Sequence, residues 1–292
     1  MKRKLLLVVL TVSLLFSLTA LSASADMGPK PSVRVTFDGL GDGAWYGTLL
    51  SSRRTTGPYS VWDGEDESRL PEDEEDRAVF LAMHEYRDAD GYYFLCFTDS
   101  LQDGVLSWTY YPPSVFKILL YNADTGELLI SGVYERYAFE SYYTARLTQK
   151  ADGTADFTVK RSDRYLGEVA LSFLGRVVLT LAVELGIALL FFGVRDKKRF
   201  AWIAGVNVVT QVILNLLLSV TLYLHGYLSF LFSYFVWEAL VVVLEAVAYA
   251  ILLPRVSQGK LRIWRPILYA LVANAVSFAV GILVAEWIPA LF

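Results

Sequence analysis

AWIAGVNVVTQVILNLLLSVTLYLHGYLSFLFSYFVWEALVVVLEAVAYAILL, residues 201–253, contains no Asp, Lys or Arg and only two Glu in 53 residues. Two apolar runs, 201–224 and 227–253, flank the pair His225-Gly226. At about 1.5 Å of rise per residue, either run as a helix is long enough to cross a hydrocarbon core about 30 Å thick. Working outward, 177–194 and 267–291 are two further runs, the first barely long enough. The reading is a four-helix transmembrane bundle over 169–292.

Charge orients these spans. The connection Arg195-Asp196-Lys197-Lys198-Arg199 is basic, as is 255–265 with Arg255, Lys260, Arg262 and Arg265, whereas the turn at His225 has no formal charge. Lysine and arginine collect in short cytoplasmic loops, so both basic connections are expected inside the cell. The His225 turn, the C-terminus and everything before 169 then lie outside. Trp202, Trp264 and Trp287 fall near the predicted interfaces, where amphipathic rings settle.

Residues 1–25 agree with that orientation. Lys2, Arg3 and Lys4 precede an apolar stretch over 5–18, and Ala23-Ser24-Ala25 fits a signal peptidase site, so a cleaved export signal is expected, with an uncleaved anchor helix as the competing reading. No Cys follows the site, which argues against lipid attachment there.

Between these apolar parts, residues 26–168 carry 14 Lys+Arg against 25 Asp+Glu, a net of −11, while the whole chain is −4. An acidic exported domain repels nucleic acid and anionic head groups, leaving cationic, metal-bearing or neutral partners. Its pattern is mostly strand: 32–37, 45–50, 92–98, 105–110, 115–121, 128–137, 143–148 and 156–160 are rich in β-branched and aromatic residues. Asn122-Ala123-Asp124-Thr125-Gly126 and Ala151-Asp152-Gly153-Thr154 are hairpin signals, because Asp, Asn and Gly tolerate positive φ. The expectation is a β-sandwich or curled sheet, with 77–85 as its one helix or a further strand.

Several residue types in this domain invite chemical readings. The single Cys96 has no intrachain partner and reads as a small packing residue in its strand. His84 has no second His or Cys at ligand spacing. The acidic runs 63–67 and 72–76 supply carboxylates a hard cation could use, yet their spacing matches no EF-hand loop and reads as a solvated segment. The aromatics at 108–111 and 134–143 are either a ligand face or cross-strand packing, the latter being the commoner use.

The membrane spans carry the candidate site. Glu184 lies mid-helix in the first span, and Glu238 and Glu245 lie in the third, where a carboxylate in hydrocarbon costs about 2.5–3.5 kcal/mol. Polar partners recur at helical spacing: Asn207, Gln211 and Asn215 with Thr210 beside them, then Tyr234, Glu238, Glu245 and Tyr249, then Ala270, Asn274, Ser277, Gly281 and Ala285 as a face of mostly small residues. Counting from the cytoplasmic ends at about 1.5 Å per residue places Glu184, Asn207, Gln211, Glu245 and Asn274 roughly 12–18 Å deep, with Asn215 and Glu238 roughly 24 Å deep. Two states fit such a layer: protonated Glu residues donating to Asn and Gln, or a cation held by oxygen ligands, for which Na⁺, Mg²⁺, Ca²⁺ or Mn²⁺ suits better than a soft metal. Interhelical hydrogen bonds that only fix the bundle's register are the plain structural alternative.

The pattern Asn207-Val208-Val209-Thr210-Gln211 and Leu214-Asn215, followed by Trp237-Glu238 and Leu244-Glu245, resembles an uncharacterised family of bacterial membrane proteins. The resemblance implies an exported β-rich domain followed by a four-helix membrane domain, and no activity. Together these readings point to a multi-pass cell-envelope protein with a sensing, assembly or transport-accessory role, in contact with membrane lipid and meeting a protein partner through the exported domain. A cation- or proton-coupled carrier is the alternative. An intramembrane enzyme ranks behind both, because no zinc or Cys/His arrangement and no serine with a base at recognisable spacing occurs in the spans.

Overall fold

The computed structural model describes residues 28–149, 155–162, 164–193, 197–257 and 261–287. Two compact units result, one of Pro29–Asp163 and one containing Arg164–Phe292. The export signal expected over 1–25, the turn expected at 151–154, and residues 195, 196 and 260 of the basic connections lie outside the described residues.

Among the described residues of the first unit ten strands form in chain order: β1 (Ser32–Asp38), β2 (Trp45–Ser51), β3 (Thr55–Thr56), β4 (Tyr59–Ser60), β5 (Asp99–Ser100), β6 (Val105–Trp108), β7 (Val115–Asn122), β8 (Leu128–Glu135), β9 (Glu140–Gln149) and β10 (Ala155–Arg161). Two four-stranded sheets result, with orders β10-β9-β1-β6 and β5-β2-β7-β8, and β3-β4 make a separate two-stranded ribbon. β1 pairs parallel with β9 and antiparallel with β6, so the first sheet is mixed. Alternation drives the packing. Val33, Val35 and Phe37 point inward from β1 while Arg34, Thr36 and Asp38 are exposed, and the inward set meets Phe116, Ile118 and Leu120 of β7 in one core.

β7 is buried on both faces. Its other side offers Leu119 to Val79, Phe80 and Met83 of helix α1 (Glu74–Glu85), giving sheet, sheet and helix in three layers. The acidic run 72–76 acts at the start of α1: Asp73 accepts from the N–H groups of Glu75 and Asp76 at 2.9 and 3.1 Å, and Glu74, Glu75 and Asp76 occupy the first turn, where the helix dipole favours negative charge. Asp66 caps the short turn Glu67–Arg69 in the same way.

One expectation changes here. Residues 92–98 are not a strand: beyond a lone bridge from Tyr93 to Ser51, the ladder stops where Cys96 takes φ 61, a left-handed backbone no strand accommodates. Helix α2 begins at Arg164, three residues after the end of β10.

Among its described residues the second unit has three helices, α2 (Arg164–Phe192), α3 (Lys197–Val256) and α4 (Trp264–Trp287). All three contain stretches long and apolar enough to span a membrane: Ala170–Phe192, Lys197–Val256 and Trp264–Val284. Instead of the four separate helices expected, 60 residues run together as α3, broken only at Gly226 with φ 81 and ψ 178. With no Pro or polar loop near that point, helical geometry resumes after a single glycine. The chain folds back there, since Thr210 bonds to Glu245 and Tyr249 to Asn207 across the break. The unit is inside-out relative to a soluble bundle. Leu174, Val178, Leu190, Leu216, Phe232 and Phe235 are exposed, while Glu184, Asn207, Gln211, Glu245 and Asn274 are buried.

Candidate functional site

Five of the seven polar residues singled out above meet in one layer of the second unit. Glu184 comes from α2, Asn207 and Gln211 from the first half of α3, Glu245 from its second half and Asn274 from α4, each at most 2% exposed. Helical spacing explains the convergence: Asn207 and Gln211 are one turn apart on one face, and Asn274 and Ser277 share a face of α4.

The Glu245 carboxylate accepts from Thr210 Oγ1 at 2.5 Å and from Asn274 Nδ2 at 2.7 Å. Glu184 Oε1 accepts from Ser277 Oγ at 3.2 Å. The Tyr249 hydroxyl donates to Asn207 Oδ1, and the Tyr269 hydroxyl donates to the Glu184 carbonyl at 3.1 Å. Several polar atoms are left over. Glu184 Oε2, Asn207 Nδ2, Gln211 Nε2 and Asn274 Oδ1 are buried without a hydrogen-bond partner. A buried polar group lacking a partner costs about 1–3 kcal/mol, so four together in one layer set it apart from the apolar packing around it. Among the described residues no Lys, Arg or His forms an ion pair with Glu184 or Glu245.

Asn215 and Glu238 stand apart from this layer and belong to a second one. There Arg176, 4% exposed, donates from Nε to Asn215 Oδ1 at 2.8 Å, from Nη1 to Ser172 at 2.8 Å and from Nη2 to Ser219 at 3.3 Å, with its guanidinium over the Phe230 ring. A narrow cleft with room for about one water molecule joins the layers. Arg176, Tyr234 and Glu238 line its outer part, and Gln211 and Ser277 its inner part.

Below the first layer the helices close on aromatic and aliphatic side chains. Tyr249 and Tyr269 lie 5.5 Å apart between ring centroids, Phe191 and Phe192 pack on Tyr269 at 5.8 and 5.2 Å, and Ile203, Leu253, Ala188 and Ala273 complete the cluster.

Arg176 is not among the candidates read from the sequence. The available signal was an arginine opening an apolar run, with Asn215 and Ser219 one turn apart on a neighbouring span. Tyr269 was missed altogether, its only mark being a phenol among Ala, Leu and Val.

In the first unit the aromatic runs are packing. Trp108 lies against Phe97 and Tyr59 at 4.2 and 5.1 Å, and Tyr143 against Phe116, Tyr134 and Tyr137 at 5.6–5.8 Å. Burial pushes the Tyr143 hydroxyl up to about 12. His84 packs on Trp62, and its burial lowers its affinity for a proton. A separate open cleft of about 480 Å³ is lined by Gly41, Gly43, Trp45, Glu75 and Gln102. Glu75 is its single charged side chain, so it lacks the convergent polar set found among the helices. Among the described residues no three His, Cys, Asp or Glu side chains come together to hold a metal. No known protein family, curated protein or solved structure matches the chain.

Proposed function

We propose that the chain is a multi-pass cell-envelope membrane protein whose Glu184 and Glu245 layer takes up a proton or small cation, and that it serves in sensing, assembly or as an accessory to transport. In this reading α3 crosses the membrane twice with its turn at Gly226, the basic connections face the cytoplasm, and the acidic β-rich unit lies outside. The inside-out distribution of apolar and polar side chains supports the membrane placement. The basic composition of 195–199 and 255–265 supports the orientation.

One observation carries the ligand reading: two fully buried carboxylates without a cationic partner sit beside carboxamide atoms that have none either. Side chains serving only to fix helix register would satisfy each other. The testing experiment is thermal stability of the detergent-purified protein across monovalent and divalent cations and pH, for wild type, Glu184→Gln and Glu245→Gln. A cation-specific or pH-specific change in melting temperature, lost in both variants, is expected. If no condition shifts the wild type and both variants match it at every pH, the layer is packing and the ligand reading fails.

A further inference from the structure

We infer that the ligand of this layer is a proton, and that it reaches Glu184 and Glu245 from one end of the helices only, through the cleft beside Arg176. The inference rests on the reading of these two carboxylates as a ligand site, and names what binds and by which route.

Hydroxyl partners point to a proton. Ser277 Oγ has two acceptors in reach, Glu184 Oε1 at 3.2 Å and the Asn274 carbonyl at 3.1 Å. Its single proton can go to an ionised Glu184, or turn to the Asn274 carbonyl while the oxygen accepts from a neutral Glu184. Thr210 is arranged likewise, with Glu245 Oε1 at 2.5 Å and the carbonyls of Val206 and Asn207 at 3.1 and 3.2 Å. Each carboxyl can therefore be charged or neutral with its hydroxyl partner satisfied after rotation of one O–H bond. A metal ion needs several oxygens turned toward it at once, and here two of the four unpartnered atoms are amide nitrogens.

The route follows from the cleft. Gln211 is 1% exposed, lines the cleft and leaves Nε2 unpartnered, and Ser277 lines it while touching Glu184. A hydronium in the cleft gives its proton to the Glu184 carboxylate, leaving water and a neutral carboxylic acid, and release reverses the step. Arg176 places a fixed positive charge at the outer end, held there by its hydrogen bonds to Asn215, Ser172 and Ser219, which raises the barrier to a metal cation and to an excess proton alike. At the other end Tyr249, Tyr269, Phe191, Phe192 and Leu253 fill the space.

The titratable groups facing Glu184 are Glu245, Glu238 and Tyr249 on the second half of α3 and Tyr269 on α4. The facing part of the first half of α3 presents Asn207, Thr210 and Gln211, which do not titrate, and Arg176 lies two turns away on α2 itself. One-sided access makes this a reporter of pH on the side where α2 begins, extracytoplasmic in the proposed topology, and not a conduit.

The test uses the full chain inserted in one orientation in sealed liposomes. The carboxylic-acid carbonyl stretch is followed by time-resolved infrared absorption and assigned by its loss in Glu184→Gln and Glu245→Gln. A pH step on the side where α2 begins should change the band as fast as mixing. The same step on the other side should act only as slowly as protons leak through the bilayer. Gly281→Leu, which fills the cleft wall, should slow the response about tenfold, equal to about 1.4 kcal/mol of added barrier. The two-sided comparison on wild type needs no variant to fold. Equal responses from both sides, or a response only from the opposite side, would overturn one-sided access. A band that never titrates, together with a sodium-specific melting shift lost in both Gln variants, would overturn the proton and leave the ligand site standing; silence in both measurements would sink both.

Discussion

Lys117 sits in the middle of β7 with its side chain 6% exposed, and its ammonium meets Asp88 at 2.7 Å and Asp90 at 2.5 Å. Asp88 is equally hidden, while Asp90 is 68% exposed. Removing Asp88 would leave a buried cation held only by a solvated partner, so Asp88→Asn should destabilise the β-rich unit by about 3 kcal/mol. Asp90→Asn should cost less than about 1 kcal/mol. Thermal unfolding of the detergent-solubilised chain, followed by the circular dichroism of the sheets, reads both; equal effects would refute the assignment of Asp88 as the principal partner. Burial alone would raise the Asp88 carboxyl, but hydrogen bonds from Lys117 and from the Tyr92 N–H bring it below the usual carboxylate value. Burial alone would lower the Lys117 ammonium, and the two aspartates raise it above the usual lysine value. The Asp88 contribution is thus complete above pH about 4 and lost as pH falls through its lowered value. The Lys117 contribution is complete below about 10.4 and lost as pH rises through its raised value. Stability from the pair should be flat between those limits, and Asp88→Asn should remove the acid loss that belongs to it. This pair left no mark in the sequence, since 29 residues separate Lys117 from Asp88. The helix residues were legible because an Asn, Gln or Glu in an apolar span stands out whatever its partner. Their division into two layers was legible too, because depth along a helix is a count of residues.

Gly226 shows how one residue decides an element. Its φ of 81 and ψ of 178 lie where only glycine is comfortable, so Gly226→Ala should cost about 1–3 kcal/mol, read as a lowered melting temperature in detergent. If Gly226→Ala melts with wild type, the turn is not held in that conformation. The His225-Gly226 break was visible as a gap between two apolar runs, but not that helix would resume so soon on either side. The same limit explains residues 92–98. Their aromatic and apolar composition suits a strand, yet the edge of β2 is shared between Tyr93 and the short strand β5, which pairs with Tyr46 and Gly47. Which segment wins a sheet edge is a long-range matter that composition does not encode. β1 was easy by contrast, because period-two burial is written directly into Val33, Val35 and Phe37.

At the scale of the molecule, each unit has its own interior. Val35, Trp108, Ile118 and Tyr143 belong to the β-rich unit's core, with Phe80 and Leu119 packed together at its helix. The lone Cys96 is free, so no disulfide is available within the chain to hold the strands. A unit of this length buries roughly two thirds of its unfolded surface, enough for independent stability. Residues 29–163 expressed alone should therefore be soluble and should unfold in one cooperative transition, at about 45–65 °C if typical of mesophilic domains. Reductant should leave that midpoint unchanged. Calorimetry and the circular dichroism of the sheets would test both statements. A unit that aggregated, or that melted without cooperativity, would mean that the rest of the chain supplies part of its stability; a cooperative, reductant-insensitive transition would show that the β-rich unit folds on its own core.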